Sequence, residues 1–184
     1  MNQIKINYEM EILLSLLNGE KYGRALAKEL QTSLTRVQSI LIELRKNNVL
    51  DYKEVGRNHI YFIKKNLVSK SFVLNAEKYK LIKLISKYNF LEPLFLDIIE
   101  KSNGKIVLLF GSYAKGTSHK DSDIDIYLDG TNEQTKKDIE KINDLISIKI
   151  GKFDKNEILM QEIIKNHVVI NGGEEYYEKL GFFN

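Results

Sequence analysis

The sequence contains no cysteine, and that absence excludes both disulfide bonds and thiolate metal sites. Its three histidines, His59, His119 and His167, are far apart along the chain, which argues against a zinc site. No apolar run approaches the roughly 20 residues that a membrane-spanning helix needs. The first residues also lack the apolar core of a signal peptide. We therefore expect a cytoplasmic protein with no membrane contact.

The chain also has little net charge, +3 over 184 residues, but that charge is unevenly distributed. Residues 1–65 hold 11 Lys and Arg against 7 Asp and Glu, an excess of +4. Residues 66–184 hold 17 against 18, which is close to neutral. Because a positive excess attracts phosphate backbones, the first part is the better candidate to face nucleic acid.

The first 65 residues have the pattern of three helices followed by a β-hairpin. Apolar residues recur at helical spacing, Ser33 is suited to cap the third helix, and Gly56-Arg57-Asn58 is typical of a hairpin turn. The predicted helices are 8–17, 22–30 and 33–46, and the predicted strands are 50–55 and 59–63.

This order of elements resembles a winged helix-turn-helix domain. In that family the third helix enters the DNA major groove and the hairpin, called the wing, contacts the backbone or the minor groove. The resemblance implies a DNA-contacting set on the third helix and the wing tip: Thr35, Arg36, Gln38, Ser39, Arg57 and Asn58. Arg36 and Gln38 suit base edges, and Thr35 and Ser39 suit phosphates. The alternative is that this module mediates dimerisation or contacts another protein.

A Gly-Ser pair marks the second informative region. The apolar run 106–110 ends at Gly111-Ser112, where a short helix is expected to begin. Free backbone N–H groups at such a turn favour an anion. The plainer alternative is an ordinary turn with no ligand.

Two aspartates follow on the next apolar run. Because side chains alternate along a strand, Asp123 and Asp125 lie on one side while Ile124 and Ile126 lie on the other. Adjacent carboxylates repel unless a cation lies between them, and hard oxygen ligands suit Mg²⁺. With the Gly-Ser turn they predict a site for a nucleoside triphosphate and its metal, unless both are plain surface acids.

The Gly-Ser…Asp-x-Asp arrangement resembles the polymerase-beta-like nucleotidyltransferases, specifically their minimal group. The matching residues are Gly111, Ser112, Ala114, Gly116, Ser122, Asp123, Ile124 and Asp125. The resemblance implies that Asp123 and Asp125 are metal ligands and catalytic residues, and that Gly111 and Ser112 contact phosphate. Lys115 and Lys120 would neutralise phosphate charge, with a solvated loop as the alternative.

Together these patterns predict an α+β protein. Residues 1–66 are assigned to the winged helix-turn-helix domain, 67–103 to connecting helices and 104–184 to a nucleotidyltransferase-like domain with a mixed sheet and helices. Residues 66–75 have the composition of a polar link before a helix over 76–88. The last part predicts strands at 105–110, 124–129, 146–150 and 168–170, and helices at 90–99, 131–145, 157–166 and 174–180.

One expected residue is missing. Active members of the superfamily carry a third carboxylate on the strand that corresponds to 146–150. The polar side of that strand instead carries Ser147 and Lys149. A lysine there would substitute one positive charge for a metal ion and leave a site that binds nucleotide without turnover.

Two functions of different classes follow. The first is a DNA-binding transcription regulator whose nucleotidyltransferase-like domain binds Mg²⁺ with a nucleoside triphosphate. The second is an active Mg²⁺-dependent enzyme that transfers a nucleoside monophosphate to a hydroxyl of a protein, an RNA or a small molecule. By resemblance alone, the second would act as the antitoxin of a toxin-like protein partner. A homodimer is expected from the winged helix.

Overall fold

The computed structural model describes residues 5–103 and 105–183, which form two compact units. The first unit extends to Tyr79 and includes Phe182 and Phe183, and the second is Lys80–Gly181. Gly104, the predicted start of the second domain, lies outside the described residues. No helix in the described ranges is long and apolar enough to cross a membrane.

The first unit has the element order of a winged helix. Three helices are accompanied by a three-stranded antiparallel sheet in the order β1-β3-β2. The elements are α1 (Tyr8–Leu17), β1 (Lys21–Tyr22), α2 (Gly23–Glu29), α3 (Leu34–Lys46), β2 (Leu50–Val55) and β3 (Asn58–Ile63). The three predicted helices and the predicted hairpin are confirmed, and the short strand β1 was not predicted.

Side-chain caps and an apolar stripe explain why these helices form where they do. The side chain of Asn7 accepts hydrogen bonds from the backbone N–H groups of Glu9 and Met10 at 3.1 and 3.3 Å. Ser33 accepts one from Arg36 N at 3.2 Å, as its predicted capping role requires. The face of α3 that is buried, Val37, Leu41 and Leu44, has the helical spacing of a core-facing stripe.

The prediction of a polar link over residues 66–75 is wrong, because a single helix, α4 (Leu67–Lys87), runs through this stretch. Asn66 acts as its cap: the side-chain oxygen accepts a hydrogen bond from Ser69 N at 2.8 Å. Val73 and Ala76 are fully buried one turn apart, so tertiary packing overrides the polar composition of this stretch.

The second unit is built on a mixed four-stranded sheet in the order β6-β5-β4-β7, which confirms the predicted mixed sheet. Only β5 and β6 are parallel among its described strand pairs. Its further elements are α5 (Leu91–Ser102), β4 (Val107–Leu109), α6 (Gly111–Lys115), β5 (Ile124–Asp129), α7 (Glu133–Glu140), β6 (Ile146–Gly151), α8 (Ile158–Lys165), β7 (Val168–Asn171) and α9 (Gly173–Leu180).

One helix of this unit is shorter than predicted. Helix α7 ends at Glu140 and not near Leu145. The reason is Asn143, whose side chain accepts a hydrogen bond from Leu145 N at 2.9 Å and forms a turn that leads into β6.

Strand β5 separates the core from the opposite face of the sheet. Ile124, Ile126 and Leu128 belong to the apolar core that α5 and α7 also line. Asp125 and the residues two and four positions further along β5 therefore lie on the other face of the sheet.

Candidate functional site

The Gly-Ser turn and the second aspartate are in direct contact. Gly111 begins α6 with φ +69°, and the backbone N–H of Phe110 donates a hydrogen bond to Asp125 O at 2.9 Å. A Cβ atom at position 111 would overlap Oδ2 of Asp125. Both the positive φ and this close approach require glycine. The carboxylate of Asp125 is therefore seated against the start of α6.

The two aspartates lie in each other's electrostatic field. Asp125 is half-buried as the second residue of β5, and Asp123 is exposed immediately before the strand. Partial burial, and then the negative charge of Asp123, raise the pKa of the Asp125 carboxyl above its ordinary value. The positive charge of Lys149 opposes that rise. Asp123 and Lys149 therefore act on the Asp125 carboxyl with opposite sign.

The register of β5 and β6 identifies what faces the aspartates. The strands are parallel, with Asp125 opposite Ser147 and Tyr127 opposite Lys149. Ser147 is half-buried and Lys149 is exposed. Within the described ranges, no group of three His, Cys, Asp or Glu side chains could hold a metal ion. The position next to Asp125 is therefore occupied by a hydroxyl.

In the first unit, a groove of about 490 Å³ lies between the start of α2, helix α3 and the wing. The groove brings Gln38, Arg57 and Asn58 of the predicted DNA-contacting set together. It is lined by Tyr22, Gly23, Arg24, Ala25, Leu34, Gln38, Arg57, Asn58, His59 and Tyr61. Sequence reasoning missed Arg24 and His59, although the place of Arg24 in the first turn of the helix before α3 was a signal for it.

The rest of that set does not line the groove. The guanidinium of Arg36 lies 5.0 Å from the ring centroid of Tyr8, and its Nη1 is 3.4 Å from Thr32 Oγ1. Ser39 Oγ donates a hydrogen bond to the backbone oxygen of Thr35 at 3.1 Å. Thr35 and Ser39 are both exposed on α3. The Ser39 hydroxyl proton is thus already used within the helix.

A stack of three side chains links the wing to α3. The guanidinium carbon of Arg45 lies 4.1 Å from the ring centroid of Tyr52. The rings of Tyr52 and His59 are stacked, with centroids 3.9 Å apart and planes inclined by 20°. Cation–π and ring stacking of this kind favour one orientation of the hairpin relative to α3.

The family comparison concerns the second unit. Residues 96–176 match the family model described as Polymerase beta, Nucleotidyltransferase. This chain carries a polymerase beta-type nucleotidyltransferase domain. The matched range contains Gly111, Asp123 and Asp125, together with Ser147 and Lys149 of the facing strand.

Two solved structures resemble half of the chain, with low sequence identity and low TM-scores. One is the adhesin competence repressor (AdcR) from Streptococcus pyogenes, at 20% identity and a TM-score of 0.41, with 50% of this chain and 69% of that chain covered. The other is a mutant of ZitR from Lactococcus lactis, at 18% identity and a TM-score of 0.38, with 50% and 63% covered. No curated protein matches the sequence. The winged-helix fold rests on the element order and strand register of the first unit.

The donor set of the nucleotidyltransferase domain fits a single Mg²⁺ ion. Asp123 and Asp125 supply hard carboxylate oxygens. The carboxylate of Asp123 is exposed and is therefore accessible to an ion. Mg²⁺ is commonly held by one or two carboxylates, with waters and substrate phosphates as its other ligands. A second ion would need a further carboxylate that the face of β6 does not provide.

The segment between the two motif halves is held by the end of α4. Ser118 Oγ donates a hydrogen bond to Tyr88 Oη at 2.9 Å, and Lys87 Nζ donates one to the backbone oxygen of Gly116 at 3.4 Å. No signal in the sequence pointed to either contact. Lys115 and Lys120, the predicted phosphate-neutralising residues, are both exposed at the ends of this segment.

A buried polar cluster fixes the far end of β5. Asp129 is buried and accepts hydrogen bonds from the backbone N–H of Phe153, at 2.8 Å, and from Lys179 of α9. Tyr127 Oη donates to the backbone oxygen of Gly151 at 3.1 Å. The cluster joins β5, the end of β6 and α9, and so it keeps β5 and β6 in the register that places Ser147 beside Asp125.

Proposed function

We propose that the protein is a DNA-binding regulator whose nucleotidyltransferase domain binds a nucleoside triphosphate with Mg²⁺ but transfers the nucleoside monophosphate from it weakly or not at all. The observation that carries this proposal is the surroundings of Asp125. Its carboxylate is seated against Gly111, as a phosphate and metal site requires, but it faces Ser147 where an active enzyme needs an acid.

Nucleotide binding is supported by charge and by backbone geometry. Asp123 and Asp125 are the metal ligands in this proposal, and Gly111 and Ser112 offer N–H groups to a phosphate at the start of α6. Lys115, the last residue of α6, and Lys120 are exposed and add positive charge to the segment that follows this turn.

Weak turnover is supported by the missing acid. In a two-metal site the ions stabilise both the attacking and the leaving oxygen of the displaced phosphoryl group. Asp123, Asp125 and the hydroxyl of Ser147 are ligands for one ion, and the described residues of β6 opposite β5 include no carboxylate that could take the proton of an attacking hydroxyl.

DNA binding is supported by the groove of the first unit. Arg24 and Arg57 are exposed cations that both line that groove, and Gln38 and Asn58 add amide groups that can bond to bases or phosphates. Arg36 and Thr35 lie outside the groove but are exposed on α3, where they remain available for DNA contact in this proposal.

The experiment is calorimetric titration of the full chain with ATP, GTP, CTP and UTP, each with and without Mg²⁺, followed by an assay for pyrophosphate. We expect metal-dependent binding of at least one nucleotide with no release of pyrophosphate. The double variant Asp123→Asn/Asp125→Asn should lose that binding, while Asp121→Asn, an exposed acid of the same segment, should keep it. Wild-type affinity in the double variant would refute the site.

The second candidate is the active transferase. The seating of Asp125 against Gly111 favours it, because that part of the site is complete. Pyrophosphate release that depends on Asp123 and Asp125 would establish it and displace the first proposal. A toxin-like partner as acceptor, and a homodimer, stay predictions from resemblance.

A further inference from the structure

The face of β6 beside the aspartates carries a cation at a defined position. Ser147 lies opposite Asp125 in the parallel ladder, and Lys149 lies two residues further along the same face. Lys149 is exposed, so its long side chain is free to extend over the strand toward the aspartates. Lys149 is therefore the diagonal neighbour of Asp125 across the parallel ladder, on the same face of the sheet.

The balance of charge around Asp125 favours the binding of one divalent cation and not of two. Asp123 and Asp125 supply two negative charges, and Lys149, diagonal to Asp125 across the ladder, supplies one positive charge. A second dication would lie close to the first in a two-metal site, about 3.5–4 Å away. At that distance from Asp125 it would also be repelled by the ammonium of Lys149 and would find only the neutral hydroxyl of Ser147 as a protein ligand.

An ammonium group can do part of what the second ion does. Lysine binds phosphates as a point charge, and it neutralises a triphosphate without needing carboxylate ligands of its own. It cannot polarise an attacking hydroxyl as a metal does. A site with one ion and one lysine therefore holds a triphosphate and leaves it intact.

Resting on the proposed function, we infer that the nucleotidyltransferase domain binds a nucleoside triphosphate with a single divalent cation, and that the Lys149 ammonium occupies the place of the second. Lys149 is then a ligand of the triphosphate. Its partner in this arrangement is Ser147, whose lack of charge keeps the second ion out.

The test counts bound ions. Mn²⁺ replaces Mg²⁺, and electron paramagnetic resonance measures the Mn²⁺ bound to the full chain with the α,β-methylene analogues of ATP, GTP, CTP and UTP. We expect one Mn²⁺ per chain in the wild type. We expect two in Ser147→Asp/Lys149→Ala, which builds a third acid and removes the cation.

A second measurement tests Lys149 directly. Lys149→Ala should weaken binding of the best analogue about tenfold, the loss of roughly 1.4 kcal/mol from one charge contact. Lys152→Ala removes an exposed lysine just beyond β6 and should change the affinity by less than about twofold. Thermal unfolding checks that each variant is folded.

The outcomes separate this inference from the proposed function. Two Mn²⁺ ions in the wild type, or unchanged affinity in Lys149→Ala, would overturn the inference while nucleotide binding stands. No binding of any analogue to the wild type would overturn the proposed function and the inference with it.

Discussion

At Gly111 a single hydrogen in place of a side chain decides the geometry of the site. Its φ of +69° is a backbone conformation that L-residues rarely adopt, and Oδ2 of Asp125 fills the space where a Cβ would be. A side chain at this position has to displace either the carboxylate or the start of α6. The same contact therefore serves both the fold and the proposed metal site.

Gly111→Ala tests that contact. We expect a loss of about 2–4 kcal/mol of unfolding free energy, from backbone strain and from the overlap with Asp125, and loss of nucleotide binding. Gly181→Ala is the matched control, because Gly181 has a similar φ of +68° but no atom within 4 Å of its added Cβ. It should cost only the backbone strain, about 1 kcal/mol. Equal losses in urea unfolding of the two variants would mean that Asp125 does not press on Gly111.

Hydrogen bonds between polar side chains connect several helices and strands. In the first unit, Glu29 of α2 accepts hydrogen bonds from Lys21 Nζ of β1 and Ser15 Oγ of α1, at 2.7 and 2.9 Å. Burial alone would raise the pKa of the Glu29 carboxyl, but the bonds from Lys21 and Ser15 outweigh it and hold the pKa below the ordinary value. The charged form of Glu29 is thus the one that the fold stabilises.

This pKa sets a pH dependence with a definite sign. Because the folded pKa of Glu29 lies below the unfolded one, its contribution is present above the ordinary glutamate pKa of about 4.3 and is lost as the pH falls through the folded value. Glu29→Gln should lower the free energy of unfolding by less than about 1 kcal/mol at pH 7, since the group is half exposed, and by a smaller amount at pH 3. Urea unfolding at both pH values measures the difference. Glu100→Gln, an exposed acid on α5, is the control, and an equal loss at pH 3 would contradict the assignment.

A second prediction concerns the wing and the start of α2, and it is about the salt dependence of DNA binding. Arg24 and Arg57 line the same groove, and if both contact phosphates, Arg24→Ala/Arg57→Ala should flatten the slope of log affinity against log salt by about 2. Fluorescence anisotropy with a mixed-sequence duplex gives that slope. Lys28→Ala, on the exposed side of α2 and away from the groove residues, should alter it by less. An unchanged slope in the double variant would remove this groove from DNA binding.

Over the whole molecule, the predictable features were those with a strong local signal. The cap at Ser33, the hairpin at Gly56 and the alternating pattern of β5 each specify an element from neighbouring residues alone. The strand predicted over 146–150 placed Ser147 and Lys149 on its polar side, and the parallel register that sets Ser147 opposite Asp125 is seen only in the structure.

Features that depend on distant parts of the chain were not predictable. Helix α4 crosses a polar stretch in which Val73 and Ala76 are fully buried, and burial of this kind depends on the tertiary structure and not on neighbouring residues. The bond from Ser118 to Tyr88 joins residues 30 positions apart, and the bond from Lys179 to Asp129 joins residues 50 apart. Neither pair has a spacing that a sequence pattern could reveal.

The central claim is that the nucleotidyltransferase domain keeps a nucleoside triphosphate intact because Ser147 and Lys149 stand beside the aspartates. The most direct test is to incubate the full chain with Mg²⁺ and an equal amount of each radiolabelled nucleoside triphosphate, separate the protein from free nucleotide, denature it and chromatograph what was bound. The account predicts that intact triphosphate is recovered from at least one mixture. Recovery of monophosphate, free or attached to the chain, together with pyrophosphate would contradict it.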